Sequence, residues 1–123
     1  MKRAVLLAVA IAVACVPVAS ASAKTNTTVT IDSVFLGAGD TQWAGDIMSP
    51  RKACKNKRLV LIFRARPGTD VKVGSTRSFK GMVDNGYYWT FSKAGAAKRG
   101  RYYAKVKPTD TCEGDRSGTL TGP

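Results

Sequence analysis

Histidine is absent from this sequence, and acidic residues are few. Without histidine the chain cannot build Ser-His-Asp or Cys-His nucleophilic sites, nor the histidine-based centres of most zinc hydrolases. A glycine-rich phosphate loop leading into a helix is also missing, so nucleotide chemistry is not supported. We therefore expect no enzyme activity, no catalytic residues and no cofactor. A small enzyme that uses only lysine, tyrosine or acids is kept as an alternative.

The eight acids are scattered singly along the chain, against 20 lysines and arginines. Glu113 and Asp115 are close enough to suggest the carboxylate pair of a glycosidase, but the intervening Gly114 favours an exposed turn with solvated side chains. With Asp110 they make three acids that lack the regular ligand spacing of a calcium loop. We therefore expect no metal site.

Long apolar runs are scarce, and the one long run is residues 4–14 (AVLLAVAIAVA). It follows a short basic start and precedes small residues at 19–23 (ASASA), which is the layout of a secretory signal. The run is shorter than the roughly 20 residues of a membrane span. We place a signal peptide at residues 1–23, with a cut after Ala21 as the alternative. The mature chain, residues 24–123, is then a secreted domain without a transmembrane segment.

The three cysteines suggest two different roles. Cys15 lies in the predicted signal and could be the lipidated residue of a lipoprotein. The usual leucine three residues upstream is missing, however, so we interpret Cys15 as an apolar signal residue. Cys54 and Cys112 remain after export into an oxidising compartment, which favours one disulfide. A zinc site is the alternative, but two thiols without histidine make a poor ligand set.

Short runs of β-branched and aromatic residues, separated by turn signals, dominate the mature sequence. Residues 59–63 (LVLIF) fit a buried central strand, and Asn85-Gly86 predicts a tight hairpin turn. Further strands are predicted at residues 27–35, 43–47, 71–74, 87–91, 101–106 and 117–121. This pattern predicts an all-β fold, a single seven-strand Greek-key sandwich.

Two motifs resemble a known family of sandwiches. Residues 84–88 (DNGYY) and 100–106 (GRYYAKV) are similar to the turn-and-strand signature of transthyretin-like domains, which also marks carboxypeptidase regulatory-like domains and the B-type repeats of bacterial surface adhesins. A wider layout resembles small secreted actinobacterial proteins, and its residues are Trp43, Gly45, Ile47, Ser49, Cys54, 58–60, Gly100, 102–104 and Cys112. The resemblance spans residues 43–120. It implies an Ig-like or transthyretin-like sandwich and an export route, and it supplies no catalytic residues.

Basic residues carry most of the functional information in this sequence. The formal net charge is +12, and it falls to +10 (12 − 2) when Lys2 and Arg3 leave with the signal. Two basic clusters flank the cysteines, and we expect a disulfide to bring them together at one end of the sandwich. The ten candidate polyanion-binding residues are Arg51, Lys52, Lys55, Lys57, Arg58, Lys98, Arg99, Arg101, Lys105 and Lys107. The competing interpretation is dispersed charge that serves only solubility.

The partner of such a surface is predicted from its charge. We expect a secreted monomer that binds an anionic cell-wall or extracellular polymer. Aromatic residues beside positive charge are typical of single-strand nucleic-acid platforms. Tyr87, Trp89 and Phe91 alternate as core residues do, however, which leaves Tyr88 and Tyr103 for the surface, so we expect no specific nucleic acid partner. The alternative function is a protein-protein interaction or inhibitory module in which the charge is incidental.

Overall fold

The computed structural model describes residues 23–122, and these residues form ten β-strands in two antiparallel sheets. The strands of the first sheet are β1 (Thr28–Val29), β2 (Ser33–Leu36), β3 (Asp40–Met48), β6 (Phe79–Lys80) and β7 (Tyr87–Ala94). Those of the second are β4 (Leu59–Ala65), β5 (Val71–Arg77), β8 (Gly100–Val106), β9 (Asp115–Arg116) and β10 (Leu120–Gly122). A short 3-10 helix, η1, spans Lys52–Cys54.

The predicted all-β sandwich is confirmed, but the strand count is ten rather than seven. The difference comes mainly from β1, β6 and β9, which are two residues long. A two-residue strand is too short for an alternating pattern to show in the sequence. Residues 1–22, which hold most of the predicted signal peptide and Cys15, lie outside the described residues.

The chain crosses between the two sheets from β3 to β4, from β5 to β6 and from β7 to β8. The strand order is β1-β3-β7-β6 in the first sheet, where β2 also pairs with β3. In the second it is β10-β8-β4-β5, and β9 also pairs with β8. Strand β4 pairs with both β5 and β8, and its residues Val60, Leu61 and Ile62 are buried. The prediction of a buried central strand is therefore confirmed.

The core lies between the sheets because alternate residues of each strand point inward. On the first sheet these include Trp43, Trp89 and Phe91, and on the second Tyr102. The ring of Trp43 lies 5.5 Å from that of Tyr102 and 5.8 Å from that of Phe91, centroid to centroid. At Gly74 a Cβ atom would overlap the ring of Phe91, so glycine is required where β5 approaches this ring.

The predicted hairpin is present, since β6 and β7 are consecutive antiparallel partners, but its turn differs from the predicted one. The Asn85-Gly86 pair does not form the tight turn with positive φ angles, since neither residue has a positive φ. Instead the loop is wider, with the amide of Gly81 donating to the carbonyl of Gly86. The carboxylate of Asp84 accepts hydrogen bonds from the Gly86 amide and the Tyr88 hydroxyl, and these contacts lower its pKa. A side chain that bonds to its own loop thus replaces the backbone turn.

Cys54 and Cys112 form the predicted disulfide, and their Cα atoms lie 5.5 Å apart. Both cysteines are buried. Next to this bond, the amide of Thr25 donates to the carbonyl of Thr111, and the amide of Glu113 donates to the carbonyl of Thr25. The disulfide therefore lies where the start of the described chain meets the segment after β8.

The outer face of the first sheet carries a carboxyl group whose ionisation opposes folding. Burial raises the pKa of Asp46, and the nearby Asp32 raises it further. An acid whose pKa is higher in the folded state binds more protons when folded, so its contribution to stability falls as pH rises through that pKa. We expect Asp46→Asn to raise the melting temperature at pH 7, and this gain should shrink toward pH 3.

Thermal unfolding at both pH values tests this expectation. Asp40→Asn is the matched control, because Asp40 begins the same strand and its side chain is exposed. A melting temperature of Asp46→Asn below that of the wild type at pH 7 would contradict the assignment of Asp46 as a destabilising charge.

Candidate polyanion-binding surface

The outer face of the second sheet carries five cationic side chains on three strands, one of which is Lys72 of β5, opposite Phe63. Register places Arg77 of β5 opposite Leu59, Arg101 of β8 opposite Ala65, and Lys105 opposite Leu61. Arg116 of β9 lies opposite Lys105. These positions alternate with the core residues Val60, Ile62, Tyr102 and Ala104. These cations therefore point away from the core on the same side of the sheet, and we call four of them, Arg77, Arg101, Lys105 and Arg116, the basic face.

Two of these cations are direct cross-strand neighbours. Lys105 and Arg116 are opposite residues in the antiparallel pair β8–β9. Side chains at such positions have Cβ atoms about 5 Å apart, and like charges placed there destabilise the pair. Both side chains are exposed. The arrangement therefore concentrates positive charge at a point where an anion could bridge two cations.

An aromatic layer supports the middle of the basic face. Tyr103 stacks on Phe63 of the neighbouring strand, with ring centroids 5.4 Å apart, and the guanidinium of Arg116 lies 3.8 Å from the centroid of Tyr103. The Tyr103 hydroxyl donates to Asp70. Because Arg116 and Phe63 pack against it, Tyr103 is only 5% exposed. The expectation that Tyr103 lies free on the surface is wrong, and its ring cannot stack on a base.

The ionisation of this layer follows from its packing. The hydrogen bond from Tyr103 lowers the pKa of Asp70, and the amide of Arg66 and the charge of Arg116 lower it further. Burial and the bond to Asp70 raise the pKa of Tyr103. Asp70 is therefore ionised and Tyr103 neutral at physiological pH. Arg116 is held over a neutral ring, which is a favourable cation–π arrangement.

The corresponding face of the first sheet has no cation at its main register positions. The outer residues of β3 and β7 are Asp40, Gln42, Ala44, Asp46, Met48, Tyr88, Thr90, Ser92 and Ala94. Asp84 lies beside them, since it accepts a hydrogen bond from the Tyr88 hydroxyl at 2.6 Å. Positive charge is therefore segregated to the outer face of the second sheet rather than spread evenly over both.

Arg58 was a predicted surface residue, but the structure places it in the interior. It is 6% exposed, and its guanidinium donates four hydrogen bonds. The acceptors are the Thr27 hydroxyl and the carbonyl oxygens of Cys54, Lys107 and Glu113. Burial lowers the pKa of this guanidinium. Arg58 therefore fastens the two segments that the disulfide joins, and it does not belong to a binding surface.

The other predicted basic residues do not lie together. Arg51, Lys52 and Lys57 are exposed around η1 at the disulfide end, and the carbonyl of Lys57 accepts a hydrogen bond from Arg77 of the basic face. Lys107 is also exposed and follows Lys105 by two residues, so it continues the basic face toward this end. The remaining predicted residues, Lys55, Lys98 and Arg99, lie in neither of these two places.

Lys55 lies with its Nζ 5.0 Å from the ring of Tyr87, on the side of the first sheet. Lys98, Arg99 and Arg101 come at the start of β8, whereas Lys105 is near its end. Arg101 and Lys105 are four residues apart, which is about 13 Å along a strand. The disulfide therefore does not gather both clusters at one end, because β8 separates the two halves of the second cluster.

The sequence pattern does not mark Arg77 and Arg116 as site residues. Arg77 ends β5, and its position on the outer face follows only from its pairing with Leu59. Arg116 lies in the two-residue strand β9. The signal that could have found Arg116 is its spacing from Cys112, because the disulfide fixes this segment beside β8. The pairing with Lys105 itself needs the three-dimensional register.

No protein-family model matches this chain, and no curated protein matches it. Within residues 23–122, no helix is long and apolar enough to cross a membrane. In the same part of the chain, no group of three or more histidine, cysteine or acidic side chains could hold a metal ion.

Proposed function

We propose that this protein is a secreted, non-enzymatic β-sandwich that binds a polyanionic cell-wall or extracellular polymer through the basic face. The observation that carries the proposal is the direct opposition of Lys105 and Arg116 on adjacent strands. Such a pair costs stability in the free protein. An anion that bridges the two charges relieves the repulsion and releases counterions, so binding gains from both effects.

The shape of the face favours an extended polymer over a small anion. The four cations extend from β5, across β4 and β8, to β9. This distance is three inter-strand spacings, or about 14 Å. Arg101 and Lys105 add about 13 Å along the strand direction. A chain with repeated negative charges can contact several of these cations at once, whereas one small anion can contact only neighbours such as Lys105 and Arg116.

Charge reversal on the face tests this function. We expect the triple variant Arg77→Glu, Arg101→Glu, Lys105→Glu to leave a heparin column at much lower salt than the wild type. Three exposed charge contacts should together change affinity about tenfold or more. Arg116 is kept in this variant because it packs on Tyr103.

The matched control reverses three cations outside the face. Lys24, Lys80 and Lys93 are exposed, and replacing all three by glutamate changes the net charge by the same amount. Its elution should stay close to that of the wild type, and a polyphosphate matrix should give the same order. If the two triple variants elute at the same salt concentration, retention reflects net charge alone and the basic face is not a binding site.

A second candidate function is recognition of another protein. The tip of the β6–β7 loop presents Met82 and Val83, two apolar side chains that are fully exposed. Exposed apolar residues at a loop tip are suited to insertion into a pocket of a partner. In this function the basic charge is incidental. It is therefore favoured if the two triple variants bind the polyanion as well as each other and also bind the surface of the producing cells as well as each other.

A further inference from the structure

Strand β4 is apolar on both of its faces. Its inner residues Val60 and Ile62 belong to the core. A strand with one face in solvent normally alternates apolar with polar residues, whereas a continuous apolar run is typical of a strand that is covered on both faces. Within residues 23–122 the two sheets are the only layers, so no third layer covers the outer face of β4. We call its outer residues the apolar row, and they are Leu59, Leu61, Phe63 and Ala65.

Cationic residues lie on both sides of the apolar row. On the β5 side Arg77 and Lys72 are opposite members of the row, and on the β8 side Lys105 and Arg101 are. Because β5 and β8 are two inter-strand spacings apart, the two lines of charge are separated by about 10 Å. Lysine and arginine side chains are longer than leucine. The apolar row is therefore the floor of a shallow groove that has cations along both sides.

The end of the groove that begins at Leu59 is the more open one. Leu59 is 38% exposed, whereas Leu61 is 5% exposed and lies deeper. At the other end Phe63 stacks on Tyr103, and the Tyr103 hydroxyl donates to the carboxylate of Asp70. An acid thus lies beside the Phe63 end. We expect an anionic partner to bind at the Leu59 end, where its charge does not meet that of Asp70.

The depth and charge of the groove restrict what can cover it. A second copy of the chain that packs through this same face would place the same cations against each other, which opposes association. A bilayer is bound by apolar side chains that reach beyond the charged ones into the acyl region. Here the apolar row lies below the cations instead. The groove therefore fits a single narrow chain that carries negative charge along both edges and an uncharged surface between them.

We infer that the polymer bound by the basic face is a carboxylated polysaccharide, an inference that rests on the proposed polymer-binding function. The C–H face of a sugar ring covers Leu59, and carboxylates on the two sides of the chain pair with Arg77 and Lys105. Burial of the exposed part of Leu59 adds a contribution that does not depend on salt. Polyphosphate supplies the charges but has no C–H surface, so it gains only from the cations.

Three probes separate these contributions in calorimetric titrations at several salt concentrations. They are an oligogalacturonate, its methyl ester, which has the same sugar chain without charge, and a linear polyphosphate with the same number of charges as the oligogalacturonate. Log affinity is linear in log salt concentration, so extrapolation to about 1 M salt removes the counterion contribution. The extrapolated affinity should be higher for oligogalacturonate than for polyphosphate. The methyl ester should bind much more weakly at low salt.

A matched pair of leucine variants tests the floor of the groove. Leu59→Thr should weaken oligogalacturonate binding about threefold, because it removes part of the apolar contact. Its salt slope and its polyphosphate affinity should stay at the wild-type values, and the latter also shows that the variant is folded. Leu36→Thr replaces a leucine of the first sheet that is 48% exposed, and it should change neither affinity.

The inference is overturned if Leu59→Thr weakens binding of both polyanions alike, or of neither, or if their extrapolated affinities are equal. It is also overturned if vesicles of phosphatidylglycerol displace the oligogalacturonate while Leu59→Thr binds them as the wild type does. The proposed function fails separately, through the charge-reversal variants. If Arg77→Glu, Arg101→Glu, Lys105→Glu still loses affinity selectively while the two leucine variants remain equal, the basic face stands and only the polysaccharide is wrong.

Discussion

Replacing Arg58 by methionine is expected to lower the free energy of unfolding by about 3 kcal/mol or more. The guanidinium supplies hydrogen bonds to the carbonyl oxygens of Cys54, Lys107 and Glu113. Methionine fills a similar volume but donates none of them. Each buried acceptor that loses its donor costs about 1–3 kcal/mol, less whatever water recovers by entering.

A second variant separates the hydrogen bonds of Arg58 from its charge. Arg58→Lys keeps the charge but not the planar group that reaches acceptors in two segments, so most of the loss should remain. Arg66→Met is the control, because Arg66 is exposed in the turn between β4 and β5, and it should change stability by less than about 0.5 kcal/mol. Chemical denaturation measures all three. Arg58→Met with a stability equal to that of Arg66→Met would contradict the structural role of Arg58.

Breaking the disulfide is the second change with a large expected effect. The bond joins residues 58 positions apart, and closing a loop of that length stabilises the fold by about 4 kcal/mol in the chain-entropy model. The domain has only about 100 residues and therefore a modest core. We expect Cys54→Ala with Cys112→Ala to lower the melting temperature strongly, and reduction of the wild type should have a similar effect.

The disulfide and Arg58 should also depend on each other. Arg58 donates to the carbonyl of Cys54, and both fasten the segment around η1 to the segment after β8. Neighbouring contacts of this kind show coupling energies of about 0.5–3 kcal/mol. A double-mutant cycle that combines Arg58→Met with the cysteine replacements measures this coupling.

An unchanged melting temperature in reductant would show that the disulfide does not hold the fold together.

The fold could be predicted from local patterns to the extent that those patterns reflect burial. The apolar run at residues 59–63 became β4, whose two paired neighbours and buried side chains match a central strand. Trp89 and Tyr102 are buried as their alternation indicates. The tight Asn85-Gly86 turn was wrong, and in its place the Asp84 carboxylate accepts hydrogen bonds from the Gly86 amide and the Tyr88 hydroxyl. Side-chain contacts of this kind are invisible to a turn rule based on two residues.

The candidate site was less predictable because it is defined by pairing between distant segments. Charge alone predicted Arg58 to be a surface residue. It is buried instead, because its guanidinium donates hydrogen bonds to four acceptors from separate parts of the chain. Conversely, Lys105 and Arg116 are 11 residues apart (116 − 105), and only the β8–β9 register makes them neighbours. The sequence shows how much positive charge there is, and the strand register shows where it is concentrated.

The salt dependence of heparin affinity is the measurement that tests the basic face most directly. Each cation that contacts a polyanion adds roughly 0.7–0.9 to the slope of log affinity against log salt concentration. The variant Arg77→Glu, Arg101→Glu, Lys105→Glu should therefore have a slope smaller than that of the wild type by about 2. The control Lys24→Glu, Lys80→Glu, Lys93→Glu should keep the wild-type slope. Equal slopes for the two variants would contradict the claim that a defined face of the second sheet binds the polymer.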